Sequence, residues 1–303
     1  MHVDEVAVDA QLVRALLCDQ FPQWADLSVT PVRSSGTDHA LFRLGDELVV
    51  RLPRVGWAVG GVEHEHRWLP LVAPHLRVDV PTPVGLGQPA EEFAWPWGVF
   101  TWLGGVNPVV GALVDPAGLA TQLADLVRQL RAIDLPGGVR AGHLVADRDP
   151  FVREAIEQLT GLVDTAPVIR FWDEAVRLPP WEGLPVWMHG DLAPGNVLLT
   201  GTRLTGLIDF SGLGVGDPAG DLAVAWNLLP AEVRPDFRAA LAVDDATWAR
   251  TSAYAVGQAL VQLPYYRLTN PPLADSARHV ITQVLADRGV AWVDDTAQGT
   301  PGP

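Results

Sequence analysis

The residues best suited to chemistry lie in Met188-His189-Gly190-Asp191-Leu192-Ala193-Pro194-Gly195-Asn196-Val197-Leu198-Leu199 and, shortly downstream, Leu207-Ile208-Asp209-Phe210. Asn196-Val197-Leu198-Leu199 and Leu204-Thr205-Gly206-Leu207-Ile208 are apolar, β-prone runs, and Thr200-Gly201-Thr202-Arg203 between them reads as a turn. A hairpin brings its two open ends together. It therefore sets Asn196 beside Asp209, while Asp191 sits on the loop that feeds the hairpin. Three short oxygen-bearing side chains converge on one point.

That trio suits phosphoryl transfer to an alcohol. Mg2+ takes hard oxygen ligands and keeps several waters, so one carboxylate and one amide oxygen make a sensible protein share. Asn196 and Asp209 are the expected metal ligands. A second carboxylate, held off the metal, must orient the acceptor hydroxyl and take its proton, and Asp191 is placed for that task. Blander readings stand beside these. An Asp next to Gly commonly caps a turn. His189 resembles a zinc ligand or a general base in isolation, but no second His or Cys stands at ligand spacing, so a structural loop role is expected. Asp221 opens a helix-like run and reads as a cap.

The segment closely resembles the aminoglycoside phosphotransferase family, a branch of the protein-kinase-like fold. The His-Gly-Asp-Leu-x-x-x-Asn signature is present as His189 to Asn196, and the Ile-Asp-Phe motif as Ile208 to Phe210. The continuation Gly-Asp-Pro-Ala-x-Asp-Leu-Ala runs from Gly216 to Ala223. The resemblance extends from about residue 30 to about residue 290. It implies an α+β, bilobal architecture, with a small β-sheet N-lobe and a larger, mainly helical C-lobe. It also implies that Asp221 braces the catalytic loop through backbone amides, with Asp217 in similar support.

The resemblance extends to the nucleotide side. Ser34-Ser35-Gly36-Thr37 is similar to the loop that covers phosphates, although one glycine alone makes an ordinary turn. Arg51 stands where kinases place the lysine that pairs the α- and β-phosphates; its planar fork keeps the charge and changes the geometry. The alternative for Arg51 is a surface cation on an edge strand. Glu65 is its expected partner, with Glu63 as competitor and a solvated helix charge as the alternative. The strand Gly98 to Leu103 occupies the hinge position, where backbone groups from Phe100 to Trp102 would hold an adenine edge while the side chains join the core. The implied cofactors are Mg2+ and ATP or GTP. The implied acceptor is a small, cationic molecule of aminoglycoside type, with a macrolide, a tuberactinomycin or a choline- or homoserine-like metabolite as alternatives. A non-catalytic nucleotide-binding protein of the same fold is the rival from another class.

The elements that must position these residues follow from hydrophobic period. Residues 8–18 and 61–74 read as helices, the latter with Val62, Trp68, Leu69 and Val72 on or near one face. Ala40–Leu44 and Glu47–Leu52, joined by Gly45-Asp46, read as a hairpin. Gly104-Gly105 marks the boundary between a nucleotide-binding lobe, 1–103, and a catalytic and acceptor-binding lobe, 104–303. Helices are expected over 116–134, 150–163, 168–178, 218–228, 231–242, 246–263 and 272–288, and disorder over 297–303. Acceptor contacts are expected after Asp209, where Asp275 and Asp294-Asp295 are available.

The 303 residues carry a net charge of −15, which opposes nucleic-acid binding and favours a cationic ligand. No apolar run is long enough for a membrane span, and the N-terminus lacks signal-peptide character. With one cysteine, Cys18, the chain is expected in the cytoplasm, as a monomer or homodimer. No P-loop motif is present, and Asp209 runs too directly into Asp217-Pro218-Ala219 for the activation segment of a regulatory protein kinase.

Overall fold

The computed structural model describes residues 5–34, 36–140 and 145–292. Its N-terminal part is a five-stranded antiparallel sheet of β1 (Val29–Pro31), β2 (His39–Leu44), β3 (Leu48–Pro53), β4 (Pro83–Gly87) and β5 (Trp97–Thr101), in the order β1-β2-β3-β5-β4. The Gly45-Asp46 turn does join β2 to β3, with Leu44 opposite Leu48 and Leu41 opposite Arg51. Strand alternation gives the sheet two different faces. Phe42, Leu44, Val50, Leu52, Trp97 and Val99 pack against Val13, Leu16 and Leu17 of helix α1 (Ala10–Gln20). The N-terminus of α1 is capped by Asp9, which accepts from Gln11 N and Leu12 N at 2.9 and 2.8 Å.

The opposite face carries Val49 and Phe100, which pack with Val62, Trp68, Leu69 and Val72 of α2 (Gly61–Val72). That cluster continues without a break into the C-terminal part, with the Trp68 and Trp187 ring centroids 5.1 Å apart. Helix α2 therefore belongs to both halves.

The C-terminal part is mainly helical: α3 (Pro116–Arg131), α4 (Asp149–Leu159), α5 (Ala166–Ala175), α6 (Val224–Asn227), α7 (Arg234–Ala240), α8 (Asp245–Tyr266) and α9 (Pro271–Ala286). α8 is the central post, packed by α4, α5 and α9. Two short ribbons serve the site: β6 (Val186–Met188) pairs with β9 (Gly214–Gly216), and β7 (Val197–Thr200) with β8 (Arg203–Leu207). No helix among the described residues is long and apolar enough to cross a membrane.

One expectation needs correction here, and one alternative falls. The run 218–228 is not a continuous helix but a 3-10 turn, Asp221–Ala223, followed by the four-residue α6. Pro218 and Gly220 oppose regular helix, and Asp221 spends its carboxylate on a loop elsewhere. Arg51 is not on an edge: β3 lies between β2 and β5. The residues 297–303, Asp294 and Asp295 lie outside the described residues.

One backbone contact fixes the loop of the site. Gly190 has φ +84°, and a Cβ there would stand 2.1 Å from the Gly212 carbonyl oxygen. Gly201, in the β7–β8 turn, has φ +63° with open space around it. Gly201→Ala should therefore cost only the left-handed backbone penalty, about 1–2 kcal/mol. Gly190→Ala should cost clearly more, because two backbone segments must also separate. Chemical denaturation of the two variants measures the difference, and equal losses would show that Gly190 is not closely packed.

Candidate active site

Closure of the β7–β8 hairpin assembles the centre. Ile208 N–H donates to the Asn196 carbonyl at 2.9 Å, so the chain crosses from one open end to the other immediately before Asp209. Asn196 Nδ2 donates to Asp191 Oδ2 and to the Asp191 carbonyl, both at 2.9 Å. Both amide hydrogens are thus committed, and Oδ1 is left as the open end of the side chain. Asn107 Nδ2 fixes the same loop, reaching the carbonyls of Gly195 at 2.8 Å and Val197 at 2.9 Å.

The loop's other supports are buried. Asp221 accepts from His189 N at 2.7 Å and Gly190 N at 2.9 Å, the bracing that the resemblance implied. Asp217 pairs with Arg250 at 2.7 Å and accepts from Ala219 N at 3.0 Å. The His189 ring is fully buried, 4.7 Å from the Phe210 ring centroid. Its Nδ1 accepts from Asp191 N at 3.2 Å, which places the ring hydrogen on Nε2, 3.1 Å from the Ile208 carbonyl. His189 therefore ties the loop to the hairpin, with both ring nitrogens engaged.

Arg51 joins this centre to the sheet. Its Nη1 donates to both Glu65 oxygens at 2.7 Å, and its Nη2 donates to Asp209 Oδ1 at 3.0 Å. Glu65, not the exposed Glu63, is the partner, and Glu65 Oε1 also accepts from Phe210 N at 2.7 Å. Ser211 Oγ donates to Asp209 Oδ1 at 2.8 Å. Asp209 Oδ2 takes no hydrogen bond from the described residues, and the side chain keeps 36% of its exposure. Asp209 holds φ 61° and ψ 73°, a left-handed conformation that Asp tolerates and that aims its carboxylate into the cleft.

The charges are unequal. Burial alone would raise the Asp209 carboxyl, but Arg51 outweighs it and holds the group well below the usual carboxylate range. Burial pushes Glu65 up to about 6 against the pull of Arg51. Asp191 is solvent-exposed as a residue, while neighbouring groups crowd its carboxyl. Burial, with Asp209 adding, raises its carboxyl above the ordinary value. Two carboxylates of one site are thereby driven apart, Asp209 kept ionised and Asp191 shifted toward easier protonation. Asn196 Oδ1 and Asp209 Oδ2 form an amide–carboxylate pair that fits Mg2+ sharing its shell with water and phosphate. Among the described residues no group of three His, Cys, Asp or Glu side chains is gathered for a metal.

Above the cleft, Gly36 N donates to Ser34 Oγ at 3.0 Å. Thr37 Oγ1 donates to Asp38 Oδ1 at 2.9 Å and accepts from the Tyr266 hydroxyl at 3.0 Å, so this loop rests on the end of α8. Ser35 lies outside the described residues. At the hinge, Thr101 N and Trp102 N are spent inside the sheet lobe, on the carbonyls of Thr82 and Glu47 at 2.9 and 2.7 Å. The first backbone N–H without such a bond among the described residues is that of Leu103. Phe100 is core as expected, but the Trp102 ring is 38% exposed with the Arg43 guanidinium 4.2 Å from its centroid. Asp275 forms a surface pair with Arg278 at 3.0 Å.

The residues that sequence reasoning missed are Asn107, His39, Ser211 and Tyr266. For His39 a signal existed: it shares a strand face with Leu41, the residue opposite Arg51. The ring is buried beside Arg51 and Asp209, and burial followed by the Arg51 charge pushes its pKa down to about 4.

The model of the phosphotransferase enzyme family APH matches residues 29–283. The chain is 36% identical to an aminoglycoside 3'-phosphotransferase of Streptomyces fradiae over 129 residues, 40% of this chain and 47% of that protein. The matches to curated relatives span between 29% and 47% of those proteins' own length. The solved GDP and kanamycin complex of APH(2")-IIia superposes with a TM-score of 0.72 at 21% identity, over 91% of this chain and 98% of that one. A macrolide 2'-phosphotransferase from Brachybacterium faecium gives 0.61 at 23% identity, over 90% and 97%. These likenesses identify the two-part architecture as the protein-kinase-like fold of those enzymes. With the family model running from β1 into α9 and enclosing every residue of the site described above, the chain belongs to the APH phosphotransferase enzyme family.

Proposed function

We propose that this protein transfers the γ-phosphate of ATP or GTP to a hydroxyl of a small cationic acceptor of aminoglycoside type. The observation that carries this reading is the meeting of Asp191, Asn196 and Asp209 at one end of the β7–β8 hairpin, with one oxygen of each metal-site side chain left open. Asp191 accepts the proton of the attacking hydroxyl as its oxygen forms a bond to the γ-phosphorus. The bond from that phosphorus to the bridging oxygen breaks, and the nucleoside diphosphate leaves. Asn196 orients Asp191 through Nδ2, and its Oδ1 would hold Mg2+ together with Asp209 Oδ2. Bound there, Mg2+ would neutralise charge on the phosphate oxygens. Arg51 faces the cleft from β3 and supplies a fixed cation to the α- and β-phosphates, while the Ser34–Thr37 loop covers them. The Leu103 N–H, with the neighbouring carbonyls, is the natural contact for the base edge.

The net charge of −15 supports a cationic acceptor, which an acidic molecule attracts and steers. The relatives named above act, by their names, on aminoglycosides and macrolides, which sets the panel for the test. The exposed, unpaired Cys18 is consistent with the cytoplasm as the place of action. The division at Gly104-Gly105 into a nucleotide lobe and a catalytic lobe belongs to the same reading.

Diphosphate release should be measured against aminoglycosides, macrolides, tuberactinomycins and small metabolite alcohols, with mass spectrometry of the product. A phosphorylated aminoglycoside is the expected result, and no phosphorylated product across the panel would overturn the reading. Asp191→Asn should lower turnover by about a hundred- to ten-thousandfold while nucleotide affinity changes little. Equal loss of both would make Asp191 structural. Because Asp191 must be ionised and its pKa is raised, kcat/KM should rise with pH through a midpoint above the ordinary aspartate value of about 3.9. A midpoint at or below that value would contradict the assignment of Asp191 as base.

A further inference from the structure

His39 opens β2 directly after the phosphate-covering loop, and strand alternation sets its side chain on the face that carries Leu41, Arg51 and Val49. This is the face turned to the cleft. The residue is 9% exposed, and its Nε2 is buried with no hydrogen-bond partner among the described residues. A buried polar nitrogen left in this state is unfavourable unless a bound group satisfies it.

A second feature points to what that group is. Helix α2 starts at Gly61, and its N-cap, Gly60, has no side chain to cap it. The first helical bond is His64 N to the Gly60 carbonyl at 2.9 Å, so the N–H groups of Gly61, Val62 and Glu63 have no helical acceptor. A Cβ on Gly61 would stand 3.9 Å from His39 Nε2 and 3.3 Å from Ser211 Cβ. The open, positive end of a twelve-residue helix and the orphaned imidazole nitrogen thus share one corner of the site with Arg51. The Asp209 carboxylate nearby is already paired with Arg51, and the donors left open in that corner suit an anion.

The strand register says which anion. The hinge end of the sheet is marked by Leu48 opposite Thr101, and Arg51 lies further in, opposite Leu41. His39 lies two residues beyond Leu41, roughly 7 Å further from the hinge. A nucleotide whose base sits at the hinge and whose inner phosphates meet Arg51 places its outer phosphate near His39.

We propose that His39 is a donor-nucleotide residue whose Nε2–H bonds the terminal phosphate beside the open N-terminus of α2. This assignment rests on the phosphotransferase reading above and deepens it by giving the site a contact that a triphosphate makes and a diphosphate lacks.

Two variants isolate the contact. His39→Leu fills the buried volume without a donor, whereas His39→Gln keeps an N–H at similar reach. Calorimetric titration in Mg2+ compares a non-hydrolysable β,γ-imido triphosphate with the corresponding diphosphate. In His39→Leu, triphosphate affinity should fall about ten- to hundredfold while diphosphate affinity stays within about twofold, and His39→Gln should recover most of the loss. Equal effects on both nucleotides, or no effect on either, would overturn the role of His39 with the phosphotransferase reading intact. A wild-type protein that binds neither nucleotide would overturn that reading, and this assignment with it.

Discussion

A single buried guanidinium holds the centre of this molecule. Arg51, from the middle of the sheet, binds Glu65 of α2 with one nitrogen and Asp209 at the end of the hairpin with the other. Glu65 returns to the hairpin through Phe210 N, so a closed ring of hydrogen bonds joins strand, helix and loop. Burying such charges is unfavourable unless each finds its partners, and removing one member of such a set costs several kcal/mol. The arrangement is thus a strong positional constraint and a weak source of net stability. Its consequence is chemical: Asp209 is kept ionised and aimed, whatever else in the cleft moves.

The ring also explains why the two halves of the chain act as one site. Arg51 and His39 come from the sheet, Asp191, Asn196 and Asp209 from the ribbons beneath it, and α2 is packed into both. Tyr266 adds a separate tie, from the far end of α8 to Thr37 in the loop that precedes β2. The sheet and the helices are thus joined twice, by the apolar packing of α2 with Trp68 against Trp187, and by these polar ties at the cleft.

How much of this was legible beforehand depended on sequence distance. Asp191, Asn196 and Asp209 could be brought together on paper because a hairpin is a local device with known geometry. Arg51 and Glu65 were drawn from a strand and the helix that follows it, but both the role of Arg51 and the choice against Glu63 came from family resemblance. Asn107 and Tyr266 were invisible because their partners are set by the packing of separate elements, whereas Ser211 bonds Asp209 only two residues away and shows itself only through the left-handed backbone of Asp209. The run 218–228 misled because its apolar spacing is helical while Pro218, Gly220 and the diverted carboxylate of Asp221 are not. Trp102 was read as core because it lies in an apolar strand, yet it is 38% exposed under Arg43. At the hinge, the family resemblance pointed to the strand Gly98 to Leu103 but could not show that the N–H groups of Thr101 and Trp102 were already taken.

The central claim is that the Arg51 ring positions Asp209 for a metal-bound nucleotide. Glu65→Gln tests it most directly, since the amide keeps the shape and can still accept from Phe210 N but removes the charge that anchors Arg51. Affinity for the nucleotide should be measured as a function of Mg2+ concentration in wild type and variant. The account predicts that the variant stays folded, binds Mg2+–nucleotide about tenfold or more weakly, and needs more Mg2+ to do so. An unchanged affinity and an unchanged Mg2+ requirement would contradict it.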